Sequence, residues 1–270
     1  ILPPSVAAEL KTTGSATPHV YTNTAVLFAD IVGFTPWSAA LSPDTIIHEL
    51  NDIFTAFDDI MGRWGCERIK TIGDGYLACC GLPLPEDDYA RKIVCAGMDM
   101  LRYLDERNRE KKSPVEIRVG IDAGPIVGGV VGVRKYIFDV FGDTVNTAFR
   151  LEGLSVPMGL TVSEQIARAI ESEVRILERP ARAVKGKGQM STYYVCYRED
   201  GRGVMNNHAA IAAYTRGLRL FESGKLAECR DLLAEFDYTT VEPEVGYDLC
   251  QLGEAERSRE ALTRAERFNL

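Results

Sequence analysis

The chain has 270 residues, of which 46% are hydrophobic, and a formal net charge of -8; that is enough apolar material for one large core and a small second unit. The acidic balance excludes wrapping of a nucleic-acid backbone, which needs a basic surface, although a few lysines and arginines can still converge on a local anion. Seven cysteines form no C-x-x-C pair and three histidines are present, so neither a zinc framework nor a disulfide scaffold is legible, and buried reduced thiols are expected.

No apolar run is long enough to cross a bilayer and the start carries no secretory pattern, so this stretch is expected to be soluble and cytoplasmic. It opens at Ile1, in mid-phrase, and is read as a fragment whose parent carries an upstream sensor or membrane portion. Residues 1–20, with Pro3, Pro4, Gly14 and Pro18 among serines and threonines, read as a linker. Thr24 opens the run Ala25-Val26-Leu27-Phe28-Ala29, a buried strand that stops at Asp30. Ser42-Pro43 starts a helix with an apolar stripe of Ile47, Leu50, Phe54, Phe57 and Met61, ending near Gly62 and Gly65. Residues 68–72 and 76–80 are short strands joined by Gly73-Asp74-Gly75, a hairpin with an acid at its tip.

A second amphipathic helix is predicted over 88–107, burying Ile93, Val94, Gly97, Leu101 and Leu104. Strands over 115–123 and 126–131 flank Gly124-Pro125 as a second hairpin, and a strand over 136–141 leads into a helix over 143–153. This order predicts an α+β fold with helices packed on one face of the sheet. Past residue 200 the pattern turns helical, with helices over 209–221 and 226–236 joined at Ser223-Gly224. Gly217, Leu220, Gly224 and Leu233 fall where a tetratricopeptide unit places its packing residues, and a plain helical appendage fits equally well.

Chemistry concentrates on a few side chains. Pairing of the strands that carry Asp30 and Asp74 would bring two carboxylates to one sheet edge, where they repel unless a cation lies between them. Hard oxygen ligands of this kind suit Mg2+ or Mn2+; taken singly, Asp30 also fits a turn cap and Asp74 an ordinary turn former. Gly33, Phe34 and Thr35 turn the chain toward a helix, where backbone N–H groups can cradle phosphate. Lys70 alternates with Arg68 and Ile72, which would send all three to one side and Lys70 into the same cleft, the default being a surface lysine. Asp139 stands between Phe138 and Val140 and needs a partner or ligand, since an unpaired buried carboxylate is costly. Asn146 and Arg150 share a helix face and could orient a sugar and neutralise a reacting phosphoryl group, while Val145 and Phe149 form the packed face. Arg134-Lys135 and Lys185-Gly186-Lys187-Gly188 supply cations that suit a triphosphate or a solvated turn.

Together these residues resemble the class III adenylyl and guanylyl cyclase catalytic domain over 21–198. The resemblance is carried by Phe28-Ala29-Asp30-Ile31-Val32-Gly33-Phe34-Thr35, by Lys70-Thr71-Ile72-Gly73-Asp74-Gly75-Tyr76, by Phe138-Asp139-Val140-Phe141-Gly142-Asp143 with Asn146 and Arg150, and by the Lys185 loop. It implies a ferredoxin-like, palm-type domain with a mostly antiparallel sheet over 21–200, followed by a small all-α, tetratricopeptide-like extension over 205–270. It further implies conversion of ATP to 3′,5′-cyclic AMP and pyrophosphate at sites shared by a homodimer. Asp30 and Asp74, with the Ile31 carbonyl, match the ligands of two Mg2+ or Mn2+ ions; Lys70 and Asp139 match the purine readers in their adenine-type combination. Asn146 matches the ribose-orienting asparagine, Arg150 the transition-state arginine, and Arg134 and Lys185 phosphate contacts. Phe149 replaces a usually small residue beneath Arg150, and Asp143 stands where many relatives carry Asn. A catalytically silent regulatory module and a guanylyl cyclase are the alternatives.

Overall fold

The computed structural model describes residues 2–111, 113–132, 135–184, 186–195, 216–217, 219–220 and 223–234. They fall into two compact units: the larger runs to Ile176 and includes Val195, so that it takes the first residue of one late strand and the last of another, and the smaller takes Leu177–Tyr194 and the described residues from 216 on.

The larger unit is built around β2 (Ala25–Ile31), buried at every position except Asp30, which is half-buried. A strand apolar on both faces must lie in a sheet interior, and β2 is flanked on one side by β4 (Gly75–Cys80) and on the other by β5 (Ile117–Ala123), both antiparallel to it. Outside β4 lies β3 (Glu67–Ile72), and outside β5 lies the parallel strand β8 (Leu160–Ser163). Three helices begin in the first half of the chain: α1 (Pro4–Thr13), α2 (Phe34–Ala39) and α3 (Pro43–Arg63). The Ser42 side chain caps α3 by accepting from the Thr45 N–H, with Pro43 in the first turn, as the sequence predicts. Its buried stripe is Ile53, Phe57, Ile60 and Met61, rotated from the predicted one, so that Ile47 is exposed. Helix α4 (Tyr89–Glu110) buries all five predicted residues. Gly97 lets it approach the sheet, since a Cβ there would sit 2.8 Å from Leu160 Cδ1 and 3.3 Å from Leu27 Cδ1.

Two sequence expectations are corrected, and residues 1–20, expected as a linker, carry α1 and the start of the short strand β1 (His19–Tyr21). Neither carries a strong signal, because no side chain caps α1 and β1 spans three residues. Strands β5 and β6 (Ile126–Val131) do not form a hairpin. At Gly124, with φ near +153°, the chain leaves the large sheet, and β6 pairs with β1 and with β7 (Ile137–Phe141) in a separate three-stranded sheet. Nor are the helices on one face. Neighbouring residues on a strand point to opposite faces: α4 covers Leu27 and Ile121, whereas α5 (Asp143–Leu154) lies against Gly120 on the other side.

Helix α6 (Glu164–Ile170) completes the larger unit with Ile166, Ala167 and Ile170 buried. The smaller unit contains β9 (Ile176–Val184) and β10 (Gly188–Val195), with the fully buried Arg179 guanidinium 4.1 Å from the Tyr194 ring centroid, and the helix α7 (Leu226–Ala234). A turn at Ser223-Gly224 precedes α7 as predicted, and the remainder of the predicted 205–270 extension lies outside the described residues. Among the described residues no helix is long and apolar enough to cross a membrane.

Among the glycines of the larger unit the tightest approach is at Gly120, where a Cβ would fall well inside contact distance of the Glu152 nitrogen and the Ala148 carbonyl. Gly120→Ala is therefore expected to push α5 off the sheet and lower the unfolding free energy by about 3 kcal/mol. Urea denaturation measures this, and an unchanged midpoint would contradict the packing.

Candidate active site

The sheet edge at the end of β2 is assembled by register. Ala29 faces Tyr76 across the β2–β4 pair, so the β3–β4 turn, Gly73-Asp74, lies beside Asp30. Gly73 supplies the positive φ (+63°) that a two-residue hairpin turn demands. Gly75 leaves room for the Phe28 ring, which would stand 3.2 Å from a Cβ there, and the Phe149 ring meets Phe28 edge-on at 5.0 Å. Phe149, expected on the packed face of α5, is 55% exposed.

Burial and then the neighbouring Asp74 carboxylate push the Asp30 pKa above the ordinary carboxylate range; the Arg118 charge and the Ile31 N–H, which donates to Asp30, pull the other way. Arg118 is the cross-strand neighbour of Asp30 on β5, with Nη2 3.7 Å from Oδ2. Its Nε lies 2.9 Å from Oε1 of Glu152 on α5, at the distance of a hydrogen bond but without its angle. Glu152 is only 3% exposed. Burial pushes its pKa up to about 7, with Arg118 opposing and the Asp30 and Asp74 charges adding to the rise.

A second cluster gathers around Lys70. A bulge between Arg68 and Lys70 shifts the β3–β4 register, so Arg68 faces Ala78 while Lys70 faces Leu77. This corrects the alternation expected from sequence: Arg68 turns to Asp58 on α3 (3.1 Å), and Lys70 turns to the other face, where its Nζ donates to Asp139 Oδ2 at 2.6 Å. Asp139 Oδ1 accepts from the Val140 N–H at 2.9 Å, so the carboxylate that needed a partner has two. Lys70 also lines an open cleft of about 620 Å³ with Asp58, Arg68, Thr71, Ile137 and Phe138.

Asn146 is exposed and Arg150 half-buried on α5, four residues apart. Gly33 adopts φ +65° ahead of α2, whose first residues are Phe34 and Thr35. Arg134 and Lys185 lie outside the described residues. The structure thus joins Asp30, Ile31 and Asp74 in one cluster and Lys70 with Asp139 in another, and no ion pair or hydrogen bond among the described residues links the two. Arg118 and Glu152 were missed by the sequence reading. A signal existed for Glu152: Thr144, Thr147, Ala148, Leu151 and Glu152 form one buried helical stripe, on which an acid is out of place.

One face of the three-stranded sheet is apolar and exposed. In the three-stranded sheet Val20, Val127, Val131, Ile137 and Phe141 are exposed on the face that also carries Asp139, while Phe138 and Val140 point into the core. Contiguous exposed apolar area of this kind marks an interaction surface. Metal chemistry is served differently: no group of three or more His, Cys, Asp and Glu side chains able to hold an ion exists among the described residues. Two convergent carboxylates fit a cation that keeps water and phosphate oxygens as its other ligands, as Mg2+ and Mn2+ do, and not a closed protein cage.

The fold is that of a nucleotidyl cyclase catalytic domain, and sequence comparison agrees. The family description "Adenylate and Guanylate cyclase catalytic domain" matches residues 17–196, and the chain belongs to that family. It is 34% identical over 200 residues to an adenylate cyclase of Mycobacterium bovis, covering 74% of this chain and 45% of the relative. It is 37% identical over 204 residues to retinal guanylyl cyclase 1 of Homo sapiens, covering 73% and 18%. The chain therefore spans less than half the length of these relatives. Among solved structures, the guanylate cyclase domain of RhGC from Catenaria anguillulae in complex with GTP aligns with a TM-score of 0.63 and 32% identity, covering 67% of this chain and 100% of that one. The adenylyl cyclase CyaB from P. aeruginosa aligns with a TM-score of 0.63 and 25% identity, covering 68% and 98%.

Folded Glu152 retains a proton that the unfolded chain releases between the ordinary glutamate range and about pH 7. Its burial therefore costs nothing in acid and most above pH 7. With divalent ions chelated, Glu152→Gln is expected to stabilise the protein by on the order of 2 kcal/mol more at pH 8 than at pH 5. Equal effects at both pH values in urea titrations would contradict the buried, destabilised carboxylate.

Proposed function

We propose that the chain is an adenylyl cyclase that converts ATP to 3′,5′-cyclic AMP and pyrophosphate at two equivalent sites between two copies of itself. The observation that carries this reading is that Asp30 with Asp74 and Lys70 with Asp139 form two clusters that no ion pair or hydrogen bond among the described residues joins, with an exposed apolar face around Asp139. A second copy seated on that face would cover it and bring the acids of one protomer opposite the base-reading and phosphate-facing groups of the other.

In this reading Asp30 and Asp74, with the Ile31 carbonyl, hold two Mg2+ or Mn2+ ions, whose chemistry when bound is to neutralise the triphosphate and acidify the ribose 3′-hydroxyl. The partner's Lys70 and Asp139 exchange their mutual contact for the base. The ammonium donates to adenine N1 and the carboxylate accepts from the exocyclic amine, a pattern that guanine, with a donor at N1 and an acceptor at C6, does not match. Asn146 orients the ribose so that its 3′-oxygen lies in line with the α-phosphorus, and Arg150 neutralises charge that develops on the α-phosphoryl oxygens as the P–O bond to pyrophosphate breaks. The turn at Gly33, Phe34 and Thr35 offers backbone N–H groups to the phosphates, and Arg134 and Lys185 add cations. The catalytic domain spans 21–200, preceded by a linker from an upstream signalling segment and followed by a helical extension over 205–270.

The named relatives include both adenylyl and guanylyl cyclases, so base preference rests on Lys70 and Asp139. The purified chain, assayed with ATP and GTP in the presence of Mn2+ or Mg2+, is expected to make cyclic AMP in preference to cyclic GMP. The Lys70→Glu/Asp139→Cys double variant is expected to lose at least tenfold in kcat/KM for ATP, about 1.4 kcal/mol of transition-state binding. GTP preference in the parent, or an unchanged ATP preference in the variant, would refute the base assignment; no turnover of either nucleotide would favour a silent regulatory module.

A further inference from the structure

Arg118 and Glu152 belong to none of the motifs that define the proposed site, yet they stand directly behind it. Register places Arg118 opposite Asp30 on the neighbouring strand, with its guanidinium 3.7 Å from the carboxylate. Because β5 lies next to β2 in the sheet interior, backbone pairing roots this side chain beside Asp30, while the guanidinium at its end can turn to either carboxylate. A positive charge at that distance competes with any divalent ion for the same oxygens.

On its other side the same guanidinium meets Glu152 at 2.9 Å, and Glu152 is held there by the contact of α5 with Gly120. The Glu152 side chain is 4% exposed and has no other ion-pair partner among the described residues. Burying a carboxylate in this way is costly, and the cost has a use if the charge is needed where it sits.

Resting on the metal reading of Asp30 and Asp74, we infer that Glu152 is a positioning residue of the metal site: it draws the Arg118 guanidinium toward α5 and so frees the Asp30 carboxylate for a divalent cation. Asp30, Arg118 and Glu152 form a row of alternating charge in which Arg118 has a carboxylate on either side. Removing the Glu152 charge leaves Arg118 with Asp30 as its remaining partner, so cation binding must break that contact. Removing both charges restores the net charge beside the acids and takes away the competitor.

The experiment is a Mn2+ titration of the full chain at pH 8, followed by electron paramagnetic resonance of the free ion, with circular dichroism of each variant to verify the fold. Glu152→Gln is expected to raise the Mn2+ dissociation constant about tenfold, and Arg118→Gln/Glu152→Gln is expected to return it to within about twofold of the parent. A Glu152→Gln constant equal to that of the parent, or a double variant that binds no better than Glu152→Gln, would overturn the inference while leaving the metal reading intact. Failure of the parent to bind Mn2+, or binding that survives Asp30→Asn/Asp74→Asn, would overturn the metal reading and this inference with it.

Discussion

Two carboxylates held side by side at a sheet edge are the constraint around which the larger unit is arranged. Asp30 and Asp74 are brought together by strand register and a two-residue turn. Partial burial and then their mutual repulsion raise the Asp30 pKa, so the folded protein holds this charge at a cost. The surroundings moderate that cost without abolishing it. Arg118 lies close to Asp30 but is shared with Glu152, so the acids retain a net negative field that suits a divalent cation.

The Lys70–Asp139 pair depends on a different device. The bulge in β3 turns Lys70 away from the Arg68 face and toward β7, and the sheet switch at Gly124 places β7 outside the large sheet. These two irregularities put a charge-matched pair beside an exposed apolar surface instead of inside the core. In the proposed reading the two clusters are halves of a nucleotide site that a second copy completes.

Much of this was legible in the sequence because the signals were periodic. The all-apolar run before Asp30, the stripe of α4, the hairpin around Asp74 and the cap at Ser42-Pro43 each follow from spacing and turn chemistry. What escaped depends on pairing between distant segments. Gly124-Pro125 looks like a hairpin turn, and only the pairing of β6 with β1 and β7 reveals a change of sheet. The alternation of Arg68, Lys70 and Ile72 gives no hint of a bulge. Arg118 sits between two apolar residues of a strand, and its meaning emerges only when Asp30 is found opposite. The family motifs grouped Asp30 with Asp74 and Lys70 with Asp139, but the strand pairings that assemble each group are a property of topology.

The central claim, that each site draws its acids from one chain and its phosphate-facing arginine from another, is tested most directly by mixing two inactive chains. Asp30→Ala and Arg150→Ala variants are each expected to be nearly inactive alone. Mixed in equal amounts, they form heterodimers with one intact site, and about a quarter of the parental cyclic AMP production is expected to return. A mixture no more active than its separate components, with heterodimers demonstrated, would contradict the shared site.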